Sequence, residues 1–207
     1  MEGLSVAIQA GGHSTRMGQD KALLPFLGEA LIRRILKRVA PVAVGARPLE
    51  VFVVTNHPKA YAFLEMTLIA DIMPGKGPLG GLLTALSFAQ HPFVAMIACD
   101  MPFANPDILA LALNILETTG KDVVIPSTNH KLEPLHAVYR RQTCLFPVQA
   151  TLQAGQRKVI AWLPDVDIYE LSWQEMEAYD SDHLAFINVN TPEEFRQAEQ
   201  TARFHQG

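Results

Sequence analysis

The sequence predicts a Rossmann-like α/β fold with a mainly parallel central sheet and helices on both faces. Three observations lead there. Short apolar runs alternate with helical patterns through the first 120 residues, the order that builds parallel strands joined by crossover helices. The chain has 207 residues, 49% of them hydrophobic and 18% charged, which is enough to bury a substantial core and excludes a disordered polymer. Short, stiff polar residues recur just after the candidate strands, at the edge where open α/β sheets bind ligands.

In chain order, Leu4–Gln9 reads as the first strand, ended by Gly11-Gly12, and Ala30–Val39 as a helix. Val51–Thr55 is a strand that delivers Asn56. Lys59–Met66 is a helix, and Leu68–Ala70 a strand leading to Asp71 and PGKGPLGG. Gly80–Ala89 is helical, Phe93–Ala98 a strand ending in Cys99-Asp100-Met101-Pro102, and Pro106–Thr118 a helix. Beyond Gly120 the alternation loosens through strands Val123–Ile125 and Leu135–Tyr139, helix Thr143–Leu152 and strand Ile168–Leu171. Ala185–Val189 is expected as the last strand. In Pro192–Phe204, Thr191 stands at N-cap, Pro192 at N1 and Glu194 at N3, a strong helix start. One domain over residues 1–207 is expected, with 142–185 as an inserted lobe.

Composition narrows the partners. A net charge of −4 argues against extended nucleic-acid binding, which calls for a basic excess, but small polyanions need only local cations. No apolar stretch approaches the ~20 residues of a membrane helix. MEGLSVAIQ enters a strand directly, so no signal peptide is expected. Cys99 and Cys144 are the only cysteines and show no metal-ligand spacing, which favours a reduced, cytoplasmic protein.

The first loop is not a P-loop, because no G-K-[ST] follows at the required spacing, and Gly11-Gly12-His13 does not fit G-x-G-x-x-G. Its glycines leave peptide N–H groups free to approach a phosphate or a base edge, and Arg16 and Lys21 add charge. A plain strand-to-helix turn with exposed cations is the structural alternative. Glycines in GKGPLGG leave room for a flat ring, or they pack a helix entry tightly on the sheet. Asp100 suits a Mg²⁺ ion bridged to substrate phosphates or an Asx-type turn. Asn188 and Asn190, two apart on an extended strand, share a face, although capping of the next helix accounts for part of Asn190. Arg157-Lys158 grips a second phosphate or lies solvated on a loop. The seven histidines show no metal spacing, and His136 reads as a core or rim residue.

Taken together, AGGHSTRMGQDKALL, GKGPLGG, ACDMP, EPLHAVY and INVNTPEEF closely resemble the molybdenum cofactor guanylyltransferases. These are nucleotidyltransferases of the nucleotide-diphospho-sugar transferase fold. The resemblance runs from Val6 to about Phe195 in the same motif order. It implies transfer of GMP from Mg·GTP to the phosphate of molybdopterin, with pyrophosphate released. It assigns Gln9, Ala10, Gly11, Gly12, Lys21, Asp71, Gly77, Pro78, Leu79 and Asp100 to GTP, and Arg157, Asn188 and Asn190 to the acceptor. Arg16, Lys21 and Asp100 would be catalytic, with Asp100 on Mg²⁺ and residues 142–185 on the acceptor side. Molybdoenzymes or other cofactor-biosynthesis proteins are the partners it allows; nucleic acid and membrane are not. Three positions depart from the family pattern: leucine is more frequent at Gln9, Asn56 matches only within one or two residues, and His136 often has an apolar counterpart. A cytidylyltransferase on molybdopterin or another phosphorylated acceptor is the rival enzyme. A nucleotide-binding sensor without turnover is the rival of another class.

Overall fold

The computed structural model describes residues 2–11, 20–42, 49–129 and 131–205. One sheet of eight strands organises them. At its middle β1 (Leu4–Gln9) runs parallel to two neighbours that come from far along the chain, β4 (Leu49–Val54) and β6 (Phe93–Ala98). β5 (Leu68–Ile69) extends it in parallel beyond β4. On the other side β9 (His136–Arg140) runs antiparallel between β6 and β7 (Val123–Thr128), and β10 (Ile168–Leu171) pairs parallel to β7. β8 (Lys131–Leu132) folds back on the end of β7, and β2 (Pro25–Phe26) and β3 (Glu29–Ala30) make a separate small hairpin.

Two cores explain the apolar runs. In β1, Leu4, Val6 and Ile8 join one core with side chains of α1 (Leu31–Val39), α4 (Pro106–Thr119) and α7 (Pro192–Phe204). Ala7 joins the other, with α3 (Gly77–Phe88) and α5 (Arg141–Gln153). β6 divides the same way, Phe93, Ala95 and Ile97 against Val94 and Met96. A strand covered on both faces has no polar side, so it reads as a continuous apolar run. Each fully buried Leu, Ile, Val or Phe contributes roughly 1.5–3 kcal/mol of transfer free energy. Residues 142–185 supply most of α5, which packs on α3, and all of β10.

Local chemistry sets the ends. Asn105 caps α4 by accepting from the N–H groups of Asp107 and Ile108, Pro106 sits at N1, and Gly120 turns the chain at φ +70°. α3 starts at Gly77, three residues before the predicted start, because Pro78 occupies the first turn, where its missing N–H costs nothing. The helix expected over Lys59–Met66 breaks into α2 (Pro58–Tyr61) and a tight turn, Ala62–Leu64, closed by Glu65 at φ +53°.

Ala185–Val189 is not a strand. Asp180 accepts from the N–H groups of Leu184 and Ala185 at 3.0 and 2.9 Å, and Ile187 N–H turns back to Leu184 O. These bonds bend the segment before a ladder can form. The short helix α6 (Trp173–Met176) precedes it. No helix among the described residues is long and apolar enough to cross a membrane.

Candidate active site

The carboxyl ends of β4, β1 and β6 lie side by side and carry most of the predicted polar residues. Backbone bonds extend the ladder past the strand ends: Ala10 N–H donates to Val54 O at 2.8 Å, and Cys99 N–H to Gln9 O at 3.0 Å. Gly11 follows at φ +100°, and a Cβ there would lie 3.4 Å from Thr55 Oγ1. Asp20 then builds the turn that presents Lys21. Its carboxylate accepts from Ala22 N–H at 3.1 Å and from Tyr61 Oη at 2.6 Å. Burial and the Asp20 carboxylate push the Tyr61 hydroxyl far above its usual range, so it stays a proton donor.

Lys21 Nζ pairs with Asp100 Oδ2 and donates to Asn190 Oδ1 at 2.8 Å. The side chains of Lys21 and Asp100 are only 15% and 17% exposed, so the pair is shielded. Asp100 Oδ1 is buried without a hydrogen-bond partner among the described residues. Asp100 O accepts from Val189 N–H at 2.9 Å, which ties the asparagine segment to the end of β6. Asn190 is fixed from behind as well, its N–H donating to Glu194 Oε2 at 2.7 Å within the cap of α7. Bonds from Asn190 and Thr191 hold the Glu194 carboxyl below its usual range.

A second group lies beyond β4. Asn56 and Asp71 bond reciprocally, Asn56 Nδ2 to Asp71 Oδ2 at 2.7 Å and Asp71 N–H to Asn56 Oδ1 at 3.1 Å. Thr84 of α3 accepts from Ile72 N–H at 3.0 Å and steadies the turn. Between the two groups the Gln9 side chain lies over Gly81. A Cβ on Gly81 would fall 2.1 Å from Gln9 Nε2, while one on Gly80 would fall 2.9 Å from Lys76 Cβ. Of the two readings of GKGPLGG, Gly80 and Gly81 therefore fit the tightly packed helix entry rather than room for a ring; they seat Gln9 and close the entry. Gln9 Nε2 donates to Gly77 O at 3.4 Å, and Gln9 Oε1 is buried with no partner among the described residues.

The third part is a cleft of about 930 Å³ on the β7 side, bordered by Pro78, Met101, Lys131, Glu133, Arg157 and Asn188. It brings the predicted acceptor residues Arg157 and Asn188 together. Pro78, predicted for the nucleotide, borders this cleft, and the Leu79 side chain is fully buried in the core, so only its backbone can meet a ligand. Gly12 and Arg16 lie outside the described residues.

His136 is a core residue. It is buried, its Nε2 accepts from Asn105 N–H at 2.9 Å, and burial pulls its pKa down to about 4. Cys99 and Cys144 are buried free thiols, each pushed up to about 12, chiefly by burial; neither can serve as a thiolate. Sequence reasoning missed Tyr61, Thr84 and Glu133. Only Glu133 left a local signal, a carboxylate before Pro134 in EPLHAVY.

A glycine-turned first strand, a lysine–carboxylate pair on adjacent turns and an open cleft beside them define a nucleotidyltransferase type of site on an α/β sheet. Residues 6–167 match the MobA-like NTP transferase domain, and the chain belongs to that family. It is 33% identical to a probable molybdenum cofactor guanylyltransferase of Peptoclostridium acidaminophilum, over 96% of this chain and 90% of that one. It is 35% identical to the protein of the same description from Carboxydothermus hydrogenoformans, over 94% of each. Among solved structures, molybdopterin-guanine dinucleotide biosynthesis protein A of Archaeoglobus fulgidus superposes with a TM-score of 0.83 at 26% identity, over 97% of this chain and 99% of that one. A CMP:2-keto-3-deoxy-manno-octonic acid synthetase shares the fold, with a TM-score of 0.71 at 15% identity, over 98% of this chain and 99% of that one.

Proposed function

We propose that the protein is a molybdenum cofactor guanylyltransferase, moving GMP from GTP to the phosphate of molybdopterin. The observation that carries this reading is the shielded Lys21–Asp100–Asn190 cluster, whose chain neighbours Met101 and Asn188 border the cleft that also holds Arg157, within a chain whose relatives bear that name. An acceptor phosphate oxygen attacks the α-phosphorus of GTP, and the bond to the β-phosphate oxygen breaks to release pyrophosphate. A phosphate monoester is already an anionic nucleophile, so no general base is required, which agrees with a neutral, buried His136 and inert thiols. Positioning and charge neutralisation remain as the work of the protein.

Lys21, held by Asp100 and Asn190, supplies positive charge to the triphosphate without having to be ordered during the reaction. Arg16 and Gly12 are proposed to complete that loop. Gln9, Ala10, Gly11 and Gly77 border the nucleotide through backbone and amide groups, with Asp71, oriented by Asn56, near the nucleoside. Arg157, Asn188 and Asn190 face the acceptor, and residues 142–185, which carry Arg157, Ile160 and Glu170 into the cleft, form its outer wall.

A divalent metal fits Asp100. Among the described residues its Oδ1 is buried with no partner, and no three His, Cys, Asp or Glu converge. A lone carboxylate suits Mg²⁺, which is commonly held by one or two carboxylates together with substrate phosphates. Bound there, Mg²⁺ would neutralise phosphate charge. Reduced thiols and charged, polar substrates agree with a cytoplasmic setting. The test is a titration of the four NTPs with Mg²⁺, followed by turnover with molybdopterin. GTP should be preferred over CTP and ATP, with pyrophosphate released in step with acceptor consumed. Equal use of CTP and GTP would overturn the guanylyl assignment, and tight GTP binding without pyrophosphate release would favour a sensor.

A further inference from the structure

We infer that Glu133 is a specificity-determining residue that reads the 2-amino-4-oxopyrimidine edge of the pterin in the acceptor; this rests on the proposed guanylyltransferase reading. An acceptor that carries a phosphate calls for cations, and Lys131, Arg157 and Lys158 provide them around the cleft. Two carboxylates border it as well, Glu170, which is exposed to water, and Glu133, whose burial runs against that logic. Glu133 is only 9% exposed and borders the cleft, so its charge needs donors to offset lost hydration.

The described residues supply only some of them. Thr128 Oγ1 donates to Glu133 Oε1 at 3.1 Å, and Lys131 Nζ lies 3.6 Å from the same oxygen. Lys131 is 73% exposed along its side chain, so this ion pair is screened by water and weak. Both interactions fall on Oε1, which leaves Oε2 for an incoming donor. The backbone is meanwhile rigid: Glu133 N–H donates to Pro126 O at 2.8 Å, and Glu133 O accepts from His136 N–H at 3.1 Å. A carboxylate held this firmly keeps its orientation without a ligand.

A pterin answers that arrangement. Its ring N3–H and exocyclic 2-amine are neighbouring donors pointing the same way, and they match the two oxygens of a carboxylate as the fork of an arginine does. Leu132 and Leu135 flank Glu133 on the cleft wall, with Pro78 and Ile160 also bordering it, which gives apolar surfaces for a flat ring. Met101 and Asn188, which also border the cleft, are chain neighbours of Asp100 and Val189, themselves joined by a backbone hydrogen bond. A bound pterin with its edge on Glu133 thus has its phosphate end directed toward Lys21 and Asp100.

The experiment compares an unphosphorylated pterin, 6-hydroxymethylpterin, with 6-hydroxymethyllumazine, which has an oxo group in place of the 2-amine. Binding to the full chain is followed by fluorescence. The wild type should bind the pterin about tenfold or more tightly over the lumazine, the scale of a lost charged hydrogen bond. Glu133→Gln keeps an acceptor for Thr128 and should lose that discrimination, with melting temperature and GTP affinity unchanged. Equal binding of the two rings by the wild type overturns the inference, and so does full discrimination by Glu133→Gln. Because the wild-type comparison needs no variant, a poorly folding Glu133→Gln leaves the test standing. Absence of pyrophosphate release with GTP and molybdopterin, alongside intact ring discrimination, would instead strike the proposed reaction.

Discussion

Lys21 is held in place rather than free in solvent, and this changes what its removal does. A cation on an exposed loop would contribute little to folding. Here the side chain is 15% exposed and shares its charge with Asp100 and Asn190. Lys21→Ala should lower kcat/KM by about two orders of magnitude, as loss of a preorganised charge does. It should also cost about 1–2 kcal/mol in a urea melt, because Asp100 keeps a shielded charge without its partner. That stability cost should shrink in an Asp100→Asn background, and a double-mutant cycle with no coupling would refute the pairing. Asp100→Asn alone keeps shape but loses charge; turnover should drop by about two orders of magnitude, with a cooperative melt and a modest loss of stability, since Lys21 loses its charged partner and keeps Asn190. A near-normal rate at ordinary Mg²⁺ would assign Asp100 to the turn alone.

At the level of elements, helix entries position the site. α7 begins with a capping box in which Thr191 and Glu194 exchange bonds, and the same Glu194 holds the N–H of Asn190. Thr191→Ala should destabilise the protein by about 1 kcal/mol and raise the acceptor KM as Asn190 loosens. Unchanged acceptor KM with reduced stability would separate the cap from the site. The entry of α3 offers a second test. Gly81→Ala places a Cβ on the Gln9 amide, so Gln9 must swing away from Gly77. GTP affinity should fall, and Gln9→Ala should relieve most of the accompanying loss of stability. Equal destabilisation by Gly81→Ala in both backgrounds would mean the clash lies elsewhere.

For the whole molecule, acid stability is linked to His136. Its folded pKa, about 4, lies below the ordinary histidine value of 6.5, because burial disfavours the imidazolium. The contribution of the neutral ring is fully present above pH 6.5 and is lost as pH falls from 6.5 toward 4, since the unfolded chain takes up the proton first. Melting temperature should decline over that window. His136→Gln retains an acceptor for Asn105 N–H and cannot titrate, so it should flatten the slope between pH 6.5 and 4. An identical slope in the variant would place the acid sensitivity on other groups.

What the sequence by itself determined is the alternation of β1, β4, β5 and β6 with their helices, and the edge at which ligands meet the sheet. Runs such as Phe93–Ala98 are apolar throughout because both faces are covered, and that pattern is local. The capping box of α7 was legible for the same reason, being complete within four residues. The tertiary structure alone decided the pairings. Lys21 meets Asp100 across 79 positions and Asn190 across 169, and no periodicity encodes such distances. The same holds for β9, which enters antiparallel between β6 and β7 and carries the EPLHAVY carboxylate to the cleft. Gln9 and Gly81 are separate residues in the chain; only packing of α3 on β1 makes the absent Cβ of one the seat of the other. Ala185–Val189 shows the converse: its apolar composition suits a strand, but hydrogen bonds from Leu184 and Ala185 to Asp180 bend it first. Short-range patterns fix which element can form, whereas contacts between distant segments decide what each side chain is near.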